Sequence, residues 1–360
     1  MRVADLTAEL VSIPTQQAGP ERGSGDERAL CEYVAPMLRA AGADQVVVEV
    51  VPRSDGEPGA YVFARWGTPR RLINVHVDTV PANAGWSRDP WTPYIAEGRL
   101  YGLGSADTKG AIAATVVALD ATRPRDFGVL FSGDEEAGSG VITQFLQRPQ
   151  AADIREVIVC EPTARTAGVA HRGVLGQRAR LLGPGGHSSK ADHQPKPLAR
   201  LCRFATALDD IGVRRMADGP PGMQGTCLNI AALHGGVAFN VISAHGELEW
   251  SLRPYPGFDR EGWDRELKAT AASIDPKIEI LSMLDHVPFA CDALADHVRK
   301  FVKSVGTLDF WTEAALWAQH GKDAIVIGPG NIAQAHAADE FVTLDDLEWA
   351  VSLFRSLLRS

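Results

Sequence analysis

Hydrophobic positions recur along the chain in two rhythms, and the rhythm changes near the middle. Over residues 26–41 (DERALCEYVAPMLRAA) apolar side chains fall near helical spacing and Gly42 follows as a stop, which predicts an amphipathic helix. Beyond it come short, nearly unbroken apolar runs: LINVHV at 72–77, FGVLFS at 127–132, EVIVC at 156–160 and AIVIG at 324–328. Runs of strand length without alternation suit strands covered on both faces, as in a largely parallel sheet sandwiched by helices. Helical patterns such as 109–121 separate the first three, so the expected fold class is layered α/β.

Between 174 and 284 the period becomes two. Leu248, Trp250 and Leu252 alternate with Glu247, Glu249, Ser251 and Arg253, which predicts a sheet with one wet face. A strand-like VLGQRARLL (174–182) leads to a helix with Leu198, Leu201, Cys202, Ala205 and Leu208 on one stripe. Strands near 226–233 and 245–252, a helix near 259–273 and strand-like KIEIL at 277–281 complete the order β-α-β-β-α-β. That order is the ferredoxin-like unit. The expected organisation is a catalytic domain over 1–173 plus 285–360, with an α+β domain inserted at 174–284; the Pro/Gly-rich 217–225 stretch reads as a loop.

Composition narrows the function classes. With 360 residues, 45% hydrophobic and 22% charged, the chain has the make-up of an ordinary globular protein of one large or two ordinary domains. A net charge of −9 disfavours nucleic acid as a partner. The longest mainly apolar run, 111–119, is far short of the roughly 20 residues a membrane span needs, so no membrane partner is expected. Asp5 and Glu9 interrupt the first residues where a secretory signal would be apolar, which makes the cytoplasm the expected location. The five cysteines are scattered and never spaced CxxC, arguing against a disulfide framework and a thiolate metal site.

In open α/β sheets ligands bind beyond the carboxyl ends of the strands. His76 and Asp78 close the first apolar run, Asp134, Glu135 and Glu136 follow the second, and Glu161 follows the third. The last run passes through Gly328-Pro329-Gly330 to His336, Asp339 and Glu340. Asp107 precedes the 109–121 helix and, taken alone, reads as a helix cap. Two imidazoles and several carboxylates at one rim suit a borderline divalent cation such as zinc or cobalt. The donors exceed what one tetrahedral ion uses, and fit two ions about 3.5–4 Å apart sharing a carboxylate. Of the adjacent Glu135 and Glu136, one would bind metal and the other would take a proton from the attacking water. His76 and Asp78, two apart, would project to one face, where the Asp78 carboxylate could orient the imidazole.

Six motifs then occur in order over nearly the whole chain: NVHVDTVP (74–81), YGLGSADTKG (101–110), SGDEEAGS (132–139), CEPT (160–163), GGHSS (185–189) and GPGNIAQAH (328–336). The set resembles the dinuclear zinc exopeptidases and deacylases that include acetylornithine deacetylase, succinyl-diaminopimelate desuccinylase, aminoacylase and bacterial glutamate carboxypeptidase. The resemblance implies that Asp107 bridges two ions, zinc by preference with cobalt able to substitute. His76 and Glu161 would complete one ion, Glu136 and His336 the other, and Glu135 would be the general base. It further implies a cis Asp107–Thr108 peptide and an inserted lid domain that forms a homodimer. From that domain, His187 would meet the substrate carbonyl, while Asn240 and Arg253 would grip its free carboxylate.

QAHAADEF at 334–341 and DFWTEAALW at 309–317 resemble the acetylornithine and acetylcitrulline deacetylases more than the desuccinylases. Trp311, Thr312 and Glu313 would then lie near the substrate side chain, with Glu313 facing an ornithine ammonium or a citrulline ureido group. The expected reaction is removal of acetyl from an N-acetyl amino acid, N-acetylcitrulline or N-acetylornithine, in arginine biosynthesis. A desuccinylase or dipeptidase of the same family is the alternative. A catalytically silent metal-binding dimer is a further one, against which the intact Glu135–Glu136 pair argues. A nucleotide site at Gly102, Gly104 and Gly110 lacks a GxGxxG after a strand. His193, His234, His286 and His320 carry no motif and are expected at the surface.

Overall fold

In the computed structural model, which describes residues 1–18 and 25–359, the four apolar runs form the parallel centre of one sheet. Phe127–Ser132, Arg71–His76, Glu156–Val159 and Asp323–Val326 lie side by side in that order, each parallel to the next. Pro58–Trp66 and Gln45–Pro52 extend the sheet antiparallel beyond Phe127–Ser132. These two strands were not predicted; their short connection at 53–57 permits only a hairpin, hence the antiparallel edge. Thr166–His171 adds an antiparallel strand on the other side, with Ser304–Leu308 beside it.

Alternate side chains divide the sheet's two faces. Val62, Ala64, Ile73, Val75, Val129, Phe131, Ile158 and Ile325 join one core with helices Val3–Val11, Glu27–Ala40, Gly110–Thr122 and Leu344–Leu357. Gly110–Thr122 is apolar nearly all round because it packs against the other three helices as well as the sheet. Truncating a wholly buried residue such as Ile73 to Ala costs about 2–5 kcal/mol. On the opposite face Tyr61 and Phe63 pack on Phe145, which also meets Trp317; the indole of Trp317 donates to Asn74 Oδ1 at 2.6 Å. With both faces covered, the carboxyl ends of the four parallel strands, at His76, Ser132, Val159 and Val326, share one rim.

The chain divides into two compact units: Met1–Val169, Cys291–Leu308 and Thr312–Ser360 form the first, Ala170–Ala290 and Asp309–Trp311 the second. The sequence pattern placed the divisions at 173/174 and 284/285. The second unit extends a few residues further each way, because His171 and Ala170 pair with Phe289 and Ala290. Trp311 belongs with it by stacking on His286, ring centroids 4.2 Å apart, so His286 is not the plain surface residue expected.

The second unit's sheet runs Asn229–His234, His245–Leu252, Val174–Leu182, Glu279–His286, all antiparallel. This is the strand order of a ferredoxin-like unit. Helices Pro197–Arg214 and Arg260–Ile274 supply Leu201, Phe204, Leu208, Trp263 and Leu267 to one core with Leu175, Leu248, Trp250 and Leu252. On the far face Arg178 pairs with Glu249 at 2.6 Å. A short pair, Gly186–His187 with Val241–Ile242, was not predicted. Among the described residues no helix is long and apolar enough to cross a membrane.

Candidate metal centre

Asp107 sits in the irregular turn Ser105–Lys109 ahead of Gly110–Thr122, and it does not cap that helix. Its carboxylate instead faces two imidazoles. Oδ1 lies 3.0 Å from His76 Nε2, and Oδ2 lies 3.4 Å from His336 Nε2. His76 Nε2 is also 3.8 Å from Glu161 Oε2, and His336 Nε2 is 2.8 Å from Glu136 Oε1. One Asp107 oxygen therefore points into a group with His76 and Glu161, the other into a group with His336 and Glu136. The Asp107–Thr108 peptide is cis, in keeping with the resemblance.

The Asp78 carboxylate does more than face the imidazole. Its Oδ1 is 3.5 Å from His76 Nδ1, but that nitrogen has a nearer partner, the backbone carbonyl of Asp78 at 2.9 Å. Donation from Nδ1 to this carbonyl directs Nε2 at Asp107, so Nε2 is the nitrogen that would offer its lone pair to a bound ion. The carboxylate itself accepts the backbone N–H groups of Glu135 and Glu136, each at 3.1 Å, and Gln17 Nε2 at 2.7 Å. It thus holds the turn that carries the adjacent acids. The Glu135 carboxylate has no hydrogen-bond partner among the described residues.

Charge in this cluster is unbalanced. Burial pushes the carboxyls of Glu135 and Glu161 well above their usual range and raises that of Glu136, with neighbouring acids adding to each. Burial opposes a charged His76, yet Asp107, Asp78 and Glu161 raise it well above the ordinary imidazole value; Asp107 and Glu136 push His336 up to about 10. Burial also opposes ionisation of Asp107, but the two imidazoles hold it low. The three glutamic acids and the two imidazoles are drawn toward protonation around an ionised Asp107, which is the response of a buried anionic pocket short of positive charge. Two nitrogens and three carboxylates facing inward supply the donors for divalent cations, and ligand atoms of His76, Asp107 and Glu136 all lie within 4.8 Å of one another. The residues present fit the metal pair.

Residues 72–360 match the model of Peptidase family M20/M25/M40. The chain belongs to that family. An N-acetyl-L-citrulline deacetylase of Xanthomonas campestris is 36% identical over 351 residues, 94% of this chain and 92% of the relative. An acetylornithine deacetylase of Proteus mirabilis is 28% identical, covering 99% and 96%. The M20 family metallo-carboxypeptidase Sso-CP2 from Sulfolobus solfataricus superposes with a TM-score of 0.79 at 16% identity, covering 99% and 98% of the two chains, a likeness of fold. This member of the M20/M25/M40 family is accordingly a metal-dependent amidohydrolase.

The remaining expected residues are distributed as follows. His187, Asn240 and Arg253 are exposed and lie in the second unit. The Gly186–His187 and Val241–Ile242 pairing brings the first two together, and Ser188 N–H donates to the Asn240 carbonyl at 3.0 Å. Ser189 N–H donates to His187 Nδ1 at 3.2 Å, so the ring proton resides on Nε2. Arg253 is held through its backbone: its N–H donates to the Thr226 carbonyl at 2.7 Å, and its carbonyl accepts from Arg172 Nη1 at 3.0 Å. Glu313 is buried in the first unit, accepting from Ser132 Oγ at 3.2 Å, and burial pushes its carboxyl up to about 8. Its Oε1 has no hydrogen-bond partner among the described residues.

Sequence reasoning missed the supports behind the cluster. Gln17 bonds Asp78 and in turn accepts from Arg53 at 2.9 Å. Asp134 accepts from Ser54 and Gly140, and Glu27 accepts from the Asp134 and Ala60 N–H groups. No motif marks Gln17 or Glu27. Asp134 and Glu340 did stand at the strand ends, but nothing local separated ligands from supports.

Proposed function

We propose that this protein removes the acetyl group from an N-acetyl amino acid, N-acetylcitrulline or N-acetylornithine, as a cytoplasmic step of arginine biosynthesis. The observation that carries the reading is the Asp107 carboxylate, one oxygen toward His76 and Glu161 and the other toward His336 and Glu136. Those residues would hold two divalent ions, zinc by preference with cobalt as substitute, and Asp107 would bridge them. Bound there, the ions would polarise the scissile carbonyl and make a water molecule easier to deprotonate. Similarity to the N-acetyl-L-citrulline deacetylase of Xanthomonas campestris supports the acetylated substrate.

Glu135 takes the proton of the attacking water and returns it to the leaving amine, a role its unpartnered carboxylate supports. Its raised pKa, caused first by burial, favours the return of that proton. His187, protonated on Nε2, donates a hydrogen bond to the developing oxyanion. Arg253 and Asn240 bind the substrate's carboxylate, for which a planar guanidinium fork is suited. Glu313, with its buried Oε1 unpaired among the described residues, meets the substrate side chain. Exposed Val237 and fully exposed Phe239, next to Asn240, support a homodimer formed through the second unit.

The test is acetate release by purified protein, metal-free or reloaded with zinc or cobalt, from N-acetylcitrulline and N-acetylornithine, beside an N-succinyl-diaminopimelate and dipeptide panel. Metal-dependent turnover of an acetylated substrate is expected. Preference for the succinylated substrate or a dipeptide overturns the substrate assignment, and full activity after metal removal overturns the mechanism. Two bound ions without turnover of any acylated substrate would favour the silent scaffold.

A further inference from the structure

Glu340 is buried, 2% exposed, and lies four residues beyond His336. Its side chain crosses to the turn that carries Asp107. Oε2 accepts the N–H of Gly104 at 2.8 Å, and Oε1 accepts those of Ala106 at 2.8 Å and Asp107 itself at 3.0 Å. The backbone carbonyl of Glu340 takes the Gly102 N–H at 3.0 Å. The loop between His336 and Glu340 is tied again on its other side: Asn83 donates to the His336 carbonyl, and Ser87 donates twice to Asp339 Oδ1 at 2.9 Å.

We propose that Glu340 is a positioning residue for the metal pair, setting the spacing between Asp107 and His336 by binding three N–H groups of one loop from within the other. The proposal rests on the metal-binding reading above and adds a residue to it. Three N–H groups in a buried turn need acceptors, and a neutral side chain offers too few lone pairs to serve them from two sides. A carboxylate does so, and one of the groups it binds belongs to the proposed bridging ligand. Movement of the Glu340 carboxylate therefore moves Asp107 relative to His336. The ion shared by Asp107, Glu136 and His336 depends on both loops, whereas the ion shared by Asp107, His76 and Glu161 depends on only one of them. The effect falls mainly on the first.

In Glu340→Gln the amide oxygen can serve one side of the turn, while its NH2 group meets an N–H on the other, donor against donor. Calorimetric titration of metal-free, full-length protein with cobalt is expected to show two ions in the wild type. In Glu340→Gln one of the two affinities falls about 10–100-fold, the cost of removing a partner behind a metal ligand. The other stays within about three-fold, and the visible cobalt spectrum changes. Val351→Ala, a core truncation on Leu344–Leu357, lowers the Tm of the metal-free protein and leaves both affinities unchanged, so lost stability alone is distinguishable. Glu340→Asp, which keeps the charge but shortens the reach, provides the same readouts if the Gln variant does not fold, and the same one-site weakening is expected. Unchanged cobalt affinities in a folded Glu340 variant, with a wild type that takes up two ions, overturn this inference alone. A wild type that binds no cobalt overturns the metal reading and this inference with it.

Discussion

The Asp78 carboxylate accepts the backbone N–H of Glu135 at 3.1 Å, so the residue beside His76 also holds the turn that presents the proposed base. Its second oxygen takes the Glu136 N–H and the Gln17 amide, and Gln17 in turn accepts from the buried Arg53. In Asp78→Asn one oxygen becomes an NH2 group facing N–H donors. We expect kcat to fall about 10–100-fold, the usual cost of losing a partner behind a metal ligand, with the fold retained. Steady-state kinetics beside circular dichroism checks this; an unchanged kcat would show that the turn holds itself.

Glu135 and Glu136 are neighbours with separable roles. Glu135→Gln should lower kcat about 10²–10⁴-fold, the range for general acid–base catalysis, while two ions remain bound. Glu136→Gln should lose one ion, because the Glu136 carboxylate is the one 2.8 Å from His336. Metal analysis after desalting, paired with acetate release, separates the two outcomes; equal metal loss in both variants would remove Glu135 from the role of base.

Arg253→Ala tests the carboxylate grip. The expected result is a rise of about ten-fold or more in KM, corresponding to loss of a charge-assisted hydrogen bond of about 1.5–3 kcal/mol, with a smaller change in kcat. Substrates whose carboxylate is amidated should lose the difference between wild type and variant. Equal KM values for wild type and variant would exclude the contact.

His171 gives stability a pH dependence. Burial lowers its pKa from 6.5 to about 4, with Nδ1 bonded to the Arg172 carbonyl opposing the shift. Between those values the unfolded chain binds a proton that the folded chain refuses, so the stabilisation is complete above pH 6.5 and is lost as pH falls toward 4. The full effect is about 3 kcal/mol. Urea midpoints at pH 7.5 and pH 5 should differ less in His171→Phe than in the wild type, and an equal difference would place the acid sensitivity elsewhere.

The sequence alone determined the four central strands, the element order of the second unit and the chemistry of the rim, while the hairpin Gln45–Pro52/Pro58–Trp66 and the short pair at Gly186–His187 carried no such signal. Unbroken apolar runs at 72–77, 127–132, 156–160 and 324–328 could be buried only with both faces covered, and the alternation at 247–253 required a sheet with one wet face. These are local properties, carried by neighbouring side chains, and so is the offer of imidazoles and carboxylates at strand ends. Tertiary structure decided what those groups face. Asp107 read locally as a cap, yet its N–H is bonded to Glu340, 233 residues away, and its carboxylate turns to His76 and His336. Asp78 read as a partner of the imidazole, yet most of its hydrogen bonds go to the Glu135–Glu136 turn and to Gln17. A carboxylate is an acceptor in any setting, and only the packing of distant loops selects the donors that reach it.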